Sequence, residues 1–406
     1  MSDPNKPDDR ISDEPLVLGL YVDDFVYFST SDETEAKFER LLSEMVKVEF
    51  MGVVEWFLGV HFVWKHDSYE TACHLNQAGF ARNTVETFGV NERTPTPGCT
   101  PYRSGVPIDS LKSADKDDKT PTFLRRREAY RSLVGCIGWL STCTRPDLAT
   151  VHSFLSSYLQ CPSSQHMGAA IYALHYIHST VDYGISFTSR EKRAAHAFLH
   201  FPRKTDTEAY LDAVPPQTKE DFQHLGTYAD ACWGSQLGNS VPKGTPLELF
   251  KFRSMSGAIV LRMSGPTSWK AERQDRTSLS TGESEIKATN TASKLTVSTR
   301  HFADGFTRNG VPLTDTDAPT PVHNDNEACV QWCHNMTSKS TNHMEMWENS
   351  VREWIHDRSL DIKHVPGLCN IADIFTKEIK DKSLFCRLRD AFMCRLSTFI
   401  GASAAA

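Results

Sequence analysis

The feature that most restricts the fold of this 406-residue chain is the order of hydrophobic patterns in its second half. Apolar runs near 225–233, 254–263 and 266–272 read as three β-strands. After them Ala288, Ala292, Leu295, Thr299, Phe302 and Phe306 recur at spacings of three and four, which predicts a helix over about 281–307 with one face on a sheet. The run PVHND predicts a fourth strand, followed by a helix in 327–335, a helix over 343–357, the strand LDIKHVP and a last helix from about 371. An antiparallel start that passes into strand–helix alternation predicts an α/β domain, a mixed sheet with helices on its faces.

Four acids stand out within this pattern. Asp230 lies in the first strand, HLGTYADACWG, in phase with Tyr228 and Cys232. Asp325 ends the fourth strand ahead of a helix that Asn326 would cap, and strand ends facing a crevice are where such sheets bind ligands. Asp373 follows a cap candidate, Asn370, and taken alone it reads as a carboxylate complementing a helix dipole. On the long helix Glu285 is three residues before Ala288 and shares its sheet-facing side, whereas Glu283 is turned away by about 200° at about 3.6 residues per turn. Ser280-x-x-Glu283 matches a capping box, so Glu283 has a structural task and Glu285 has none. An unpaired carboxylate facing a sheet is expensive, and a metal ion would compensate it. Mg²⁺ prefers oxygen ligands and keeps several waters, so a few acids suffice, and two such ions suit phosphodiester hydrolysis.

In the first half, LVLGLYVDDFVYFST places Asp23 and Asp24 between two apolar runs, with no Gly, Asn or Pro at the bend. This predicts a hairpin with both acids at its tip, kept there at conformational cost because favoured hairpin turns need positive φ. Such a pair is either a solvated acidic turn or part of a two-metal site. Phe38, Leu41, Leu42 and Met45 form a helical stripe after it. Residues 94–122, dense in Pro, Gly and Ser, read as a linker. Residues 128–180 read as helical, with Met167, Ala170, Ile171, Leu174 and Ile177 on one face and His166, His175 and His178 as surface histidines. Residues 185–222 read as a polar loop or insertion, and GASAAA as a disordered tail.

Composition narrows the class further. No run of about 18 apolar residues exists, so no membrane span is expected. The polar start MSDPNKPDDR excludes a secretory signal and places the protein inside the cell, in a cytoplasmic particle or the nucleus. The 11 cysteines include no Cys-x-x-Cys pair, which argues against a zinc knuckle or a disulfide framework. Cys329 and Cys333, one helical turn apart, read as small buried hydrophobes. A net charge of -7 does not advertise a polyanion partner; the basic clusters at 124–128 and 190–204 each read as a solvated face.

As a whole the chain resembles the C-terminal part of the copia-type LTR retrotransposon polyprotein, from about residue 1 to 385. YVDDFVYFS is similar to the family's polymerase hairpin, and MGVVEWFLGVHF (51–62) and HLNQAGFARNTVETFGV (74–90) resemble its next segments. YRSLVGCIGWLSTCTRPDLA (130–149) with TVDYGISF (180–187) is its most specific signature. SMSGAIVLRMSGPTSWKAERQDRTSLSTGESEIKA (254–288), VHNDNEACV (322–330), TNHMEM (341–346) and NIADIFTK (370–377) resemble its ribonuclease H domain, in order. Departures are Cys232 where the family has Asp, and Asn342 and Glu345 for a usual Lys and Asp.

The resemblance implies a truncated reverse-transcriptase palm with the start of the thumb (1–93), a linker (94–127), a helical thumb or connection segment (128–190), a polar insertion (191–222), a ribonuclease H-like domain with a five-stranded mixed sheet (223–385) and a tail (386–406). It implies Asp230, Glu285, Asp325 and Asp373 as catalytic ligands of two Mg²⁺ ions, with Mn²⁺ as a substitute, and RNA–DNA hybrid as substrate. His364 stands either in substrate handling or as a structural histidine. Asp23 and Asp24 would be polymerase residues whose third aspartate belongs to an upstream palm strand, so this stretch alone is not expected to polymerise DNA. Other segments of the polyprotein are possible partners. Two rivals remain: a catalytically silent relic or domesticated binding module, and a DNA nuclease such as an integrase, which the spacing of the four acids fits poorly.

Overall fold

The computed structural model describes residues 14–66, 71–90, 100–103, 105, 107–188, 225–234, 253–311, 317–335 and 349–400. The expected lead-in, the basic run at 190–204, the insertion at 191–222, TNHMEM and GASAAA lie outside those residues or, for the lead-in, almost wholly so.

The hairpin forms from β1 (Leu16–Tyr21) and β2 (Asp24–Ser29), with Tyr21 opposite Asp24 and Val22-Asp23 as the two-residue turn. The positive φ such a turn demands falls on Val22, at 53°, and not on an acid. A β-branched residue is an uncommon bearer of that conformation, so the cost expected for the carboxylates is carried by their neighbour. Helix α1 (Asp32–Met45) starts where Ser31 accepts the Thr34 N–H, and Phe38 packs its ring 4.9 Å from that of Tyr27. The outer surface stays apolar: Leu20 and Met51 are 70% and 92% exposed.

A second sheet joins β3 (Trp56–Phe57), β4 (Val60–His66), β5 (Thr71–Asn76), β6 (Tyr183–Thr188) and β12 (Met393–Arg395), in the order β12-β6-β5-β4-β3. Two expectations are corrected here. Residues 183–188 are a strand and not the end of a helical segment or a loop. The segment from 386 is no loose tail: helix α9 (Lys382–Asp390) leads into β12, which pairs with β6 before α10 (Leu396–Ile400). Arg395 ties it down through Asp182 at 2.6 Å.

Four helices share one core with β6 of this sheet: α2 (Ala78–Thr87), α3 (Pro121–Cys143), α4 (Ala149–Ser156) and α5 (Ser164–Ser179). Helix α3 begins inside the stretch read as linker, because Thr120 accepts the Phe123 N–H and Pro121 sits at the first turn, where its missing N–H costs nothing. His166 is buried in a capping box with Ser163 rather than exposed. The family signature has a physical reason. Arg145, almost fully buried, makes a bidentate pair with Asp147 (2.9 and 2.8 Å) and donates to the Thr180 carbonyl and hydroxyl. Tyr176 donates to Asp147 at 2.6 Å, and Arg389 reaches Tyr176 and Tyr183. The TRPDLA and DYG residues thus share one buried polar network.

The third sheet is the one anticipated. Its strands are β7 (Gly226–Cys232), β8 (Met255–Arg262), β9 (Gly265–Arg273), β10 (Thr320–Asn324) and β11 (Leu360–His364), ordered β11-β10-β7-β8-β9. β7, β8 and β9 are antiparallel, and β10 runs parallel to both β7 and β11. Alternate residues face opposite ways, as strands require. Ala229, Ala258, Val322 and Ile362 pack under α6 (Thr281–Arg308), α7 (Glu327–His334) and α8 (Ser350–His356). Met255 and Ile259 join the core of α3–α5 instead, and Trp269 Nε1 donates to Ser141 O at 2.7 Å. One apolar core therefore spans both halves. The packed stripe of α6 is shorter than its periodicity: Phe302 is 65% exposed and meets Phe306 edge-on, because a 28-residue helix of about 42 Å outruns strands of seven to nine residues. Among the described residues no helix is long and apolar enough to cross a membrane.

Candidate metal centre

The acidic site forms where β7, the start of α6, the end of β10 and a 3₁₀ turn meet. Asp230 in β7 is 1% exposed and stands opposite Gly257 in β8. A Cβ at Gly257 would lie 2.7 Å from Thr376 Cγ2 and 2.8 Å from Phe375 Cβ, so only glycine lets the Ile371–Phe375 turn settle onto the sheet. That turn was expected to open the last α-helix. It is a single 3₁₀ turn capped by Asn370, which accepts the Ala372 N–H, and the α-helix starts only at Lys382. Settling it brings the Thr376 hydroxyl to Asp230 Oδ2 as donor and Lys377 Nζ to 3.4 Å from the same oxygen.

The two glutamates of α6 divide as helix phase predicts. Glu283 accepts the Leu279 N–H at 2.7 Å and pairs with buried Lys287 at 2.8 Å, so it serves the helix start. Glu285 points at the sheet and accepts from Asn324 Nδ2 at 3.0 Å. Asn324 precedes Asp325, and Asn370 binds Asp325 while its amide donates to Ala229 O at 2.9 Å. Glycine at 367 leaves room beside Asp325: a Cβ there would sit 3.1 Å from Oδ2.

Asp230, Glu285 and Asp325 each offer an oxygen within 4.8 Å of the others. Burial first, then the Asp230 charge, pushes Glu285 up to about 9, against the Asn324 hydrogen bond. The same two causes raise Asp325. Asp373 is pushed up to about 7 by burial and Asp230, while Lys377, 2.5 Å from its Oδ1, opposes the rise. Oxygens crowded this closely resist ionising together, and a divalent cation relieves all three at once. An all-carboxylate set suits Mg²⁺ or Mn²⁺ rather than zinc or copper.

The remaining candidates lie elsewhere. His364 is exposed at the end of β11, in register with Asn324 and so beside the mouth of the site. Asp23 and Asp24 are exposed at the hairpin tip and join no trio of ligand atoms among the described residues. Trp233 is 52% exposed just past β7, with its indole N–H on Ser278 O at 3.1 Å. Sequence pattern alone does not single out Thr376, Lys377 or Asn324, and it marks Asn370 only as a cap; their other signal is their place inside NIADIFTK and VHNDNEACV.

No protein-family model matches the chain. Over 375 residues, 92% of its length, it is 22% identical to the Retrovirus-related Pol polyprotein from transposon TNT 1-94 of Nicotiana tabacum. Over 368 residues, 90% of its length, it is 23% identical to that from transposon RE2 of Arabidopsis thaliana. Its relatives over about 90% of its length are copia-type retrovirus-related Pol polyproteins. The chain spans 24% and 21% of the length of these two Pol polyproteins. Among solved structures it is similar to LC11-RNase H1, isolated from compost, at 17% identity and a TM-score of 0.27, over 40% of this chain and 99% of that one.

Proposed function

We propose that this Pol segment hydrolyses the RNA strand of RNA–DNA hybrids, leaving 5′ phosphate and 3′ hydroxyl ends. The observation that carries the reading is the convergence of Asp230, Glu285 and Asp325 within 4.8 Å, where burial and the Asp230 charge push Glu285 up to about 9. These three, with Asp373 beside them, hold two divalent ions, Mg²⁺ or Mn²⁺. When bound, such ions activate the attacking water and neutralise charge on the leaving 3′ oxygen. The chain's own residues keep the carboxylates in place: Asn324 holds Glu285, Asn370 holds Asp325 and Thr376 holds Asp230. At the mouth, exposed Trp233 and His364 offer an aromatic face and a hydrogen-bonding ring to a hybrid read by its shape and 2′-hydroxyls.

Other segments of the polyprotein are the natural partners of the hairpin. The test offers the full chain, with Mg²⁺, a labelled RNA–DNA hybrid, the matched DNA duplex and the single-stranded RNA. Cleavage of RNA in the hybrid alone, abolished by chelator, is expected; a folded protein that cuts none of them is a binding module or a relic.

A further inference from the structure

The ribonuclease reading leaves Lys377 unexplained. Its ammonium lies 2.5 Å from Asp373 Oδ1 and 3.4 Å from Asp230 Oδ2, inside a site otherwise built of acids. It is held there from both ends. The backbone N–H of Lys377 donates to Asp373 O, closing the turn, and Thr376, one residue earlier, bonds the same Asp230 oxygen. Asp373 consequently stands apart from the trio whose oxygens lie within 4.8 Å of one another. The Lys377 side chain is 40% exposed whereas that of Asp230 is 2% exposed, so the ammonium sits on the solvent side and can swing out without crossing protein.

We propose that Lys377 is a built-in cation standing where a second divalent ion would bridge Asp230 and Asp373, so that the substrate-free site takes one ion, at Asp230, Glu285 and Asp325, and admits a second only when Lys377 leaves. The inference rests on the site described above and deepens it. With all four acids ionised, one divalent ion and the ammonium leave a net charge of -1 (-4 + 2 + 1), whereas a second ion added beside the ammonium overshoots to +1. Three cations packed around one buried carboxylate repel each other strongly in a weakly screened site. Lysine and the second ion are therefore alternatives. An arriving nucleic-acid phosphate brings both the negative charge a second ion needs and a new partner for the displaced ammonium.

The test counts ions without asking for cleavage. Metal-stripped full chain is titrated with Mn²⁺ by calorimetry and by the electron paramagnetic resonance of the free ion, for wild type, Lys377→Gln, Lys377→Met and Lys377→Arg. Wild type and Lys377→Arg are expected to bind one ion, and Lys377→Gln two, or one plus a second whose affinity rises at least about tenfold. Lys377→Met keeps the aliphatic stem of this half-exposed side chain and must give the same count as Lys377→Gln. Two ions of equal affinity in wild type and Lys377→Gln overturn the proposal, as does one ion in both. Absence of Mn²⁺ binding by wild type overturns the ribonuclease reading together with it, whereas hybrid cleavage beside an unchanged ion count overturns the role of Lys377 alone.

Discussion

Asp23 and Asp24 are adjacent in sequence and exposed at a hairpin tip, whereas Asp230, Glu285 and Asp325 are scattered over 96 residues and brought together, the first two buried and the third half-buried. Water already solvates the first pair, so nothing in its surroundings calls for an ion. The second group is shielded by β8, α6 and the Ile371–Phe375 turn, and it is this desolvation that raises Glu285 and Asp325. Two acids side by side catch the eye, yet a cation site is made by burying carboxylates that face each other.

The largest effect on stability is expected away from both groups, at the buried ion pair that joins the helices beneath the sheets. Arg145→Met leaves Asp147 charged and buried and should cost about 3–5 kcal/mol in urea unfolding, while Asp24→Asn at the exposed tip stays within about 0.5 kcal/mol. For the same packing reason residues 225–406 alone, stripped of α3–α5 and of the β6 partner of β12, should fail to give a cooperative melt. A smaller effect separates the two glutamates of α6. Glu283→Gln should cost about 2 kcal/mol, losing its charged partner Lys287, and leave metal stabilisation intact. Glu285→Gln should raise the metal-free melt at pH 7, since the neutral amide needs no proton on folding, and abolish the added stability from Mg²⁺.

The gentlest probe is pH. In chelator the folded protein holds protons on Glu285 and Asp373 that the unfolded chain, titrating near 4, has released. The stability these groups contribute is complete below about pH 4 and is lost as pH rises through about 7 for Asp373 and about 9 for Glu285. The metal-free melt should fall by several degrees between pH 6 and 9, at about 2 °C per kcal/mol, and Mg²⁺ should flatten that slope. A metal-free melt that rises over this interval contradicts the assignment.

Much of the third sheet and its site is legible in the sequence because local periodicity specifies it. Three apolar runs and a 3.6-residue stripe suffice to separate Glu285 from Glu283, and the structure agrees. The same stripe misleads at Phe302, since periodicity does not say where the sheet beneath a helix ends. Strand β12 is hidden for another reason: its three residues pair with β6 about two hundred positions earlier, and no local pattern encodes that register. Asn370 announces a cap, but the space left at Gly257, more than a hundred positions earlier, is what lets a 3₁₀ turn settle there, and no local pattern shows it. The TRPDLA signature is visible as a pattern, whereas its reason, one guanidinium shared between Asp147 and Thr180, exists only after folding.

The most direct measurement compares the two acidic groups in one assay: cleavage of a labelled RNA–DNA hybrid by the full chain, by Asp325→Asn and by Asp24→Asn, each with Mg²⁺. RNA cut equally by the parent and Asp24→Asn, and slowed about a hundredfold or more in Asp325→Asn, is the predicted result. Equal cleavage by all three proteins, or loss of cleavage in Asp24→Asn alone, would contradict the assignment of chemistry to the buried group.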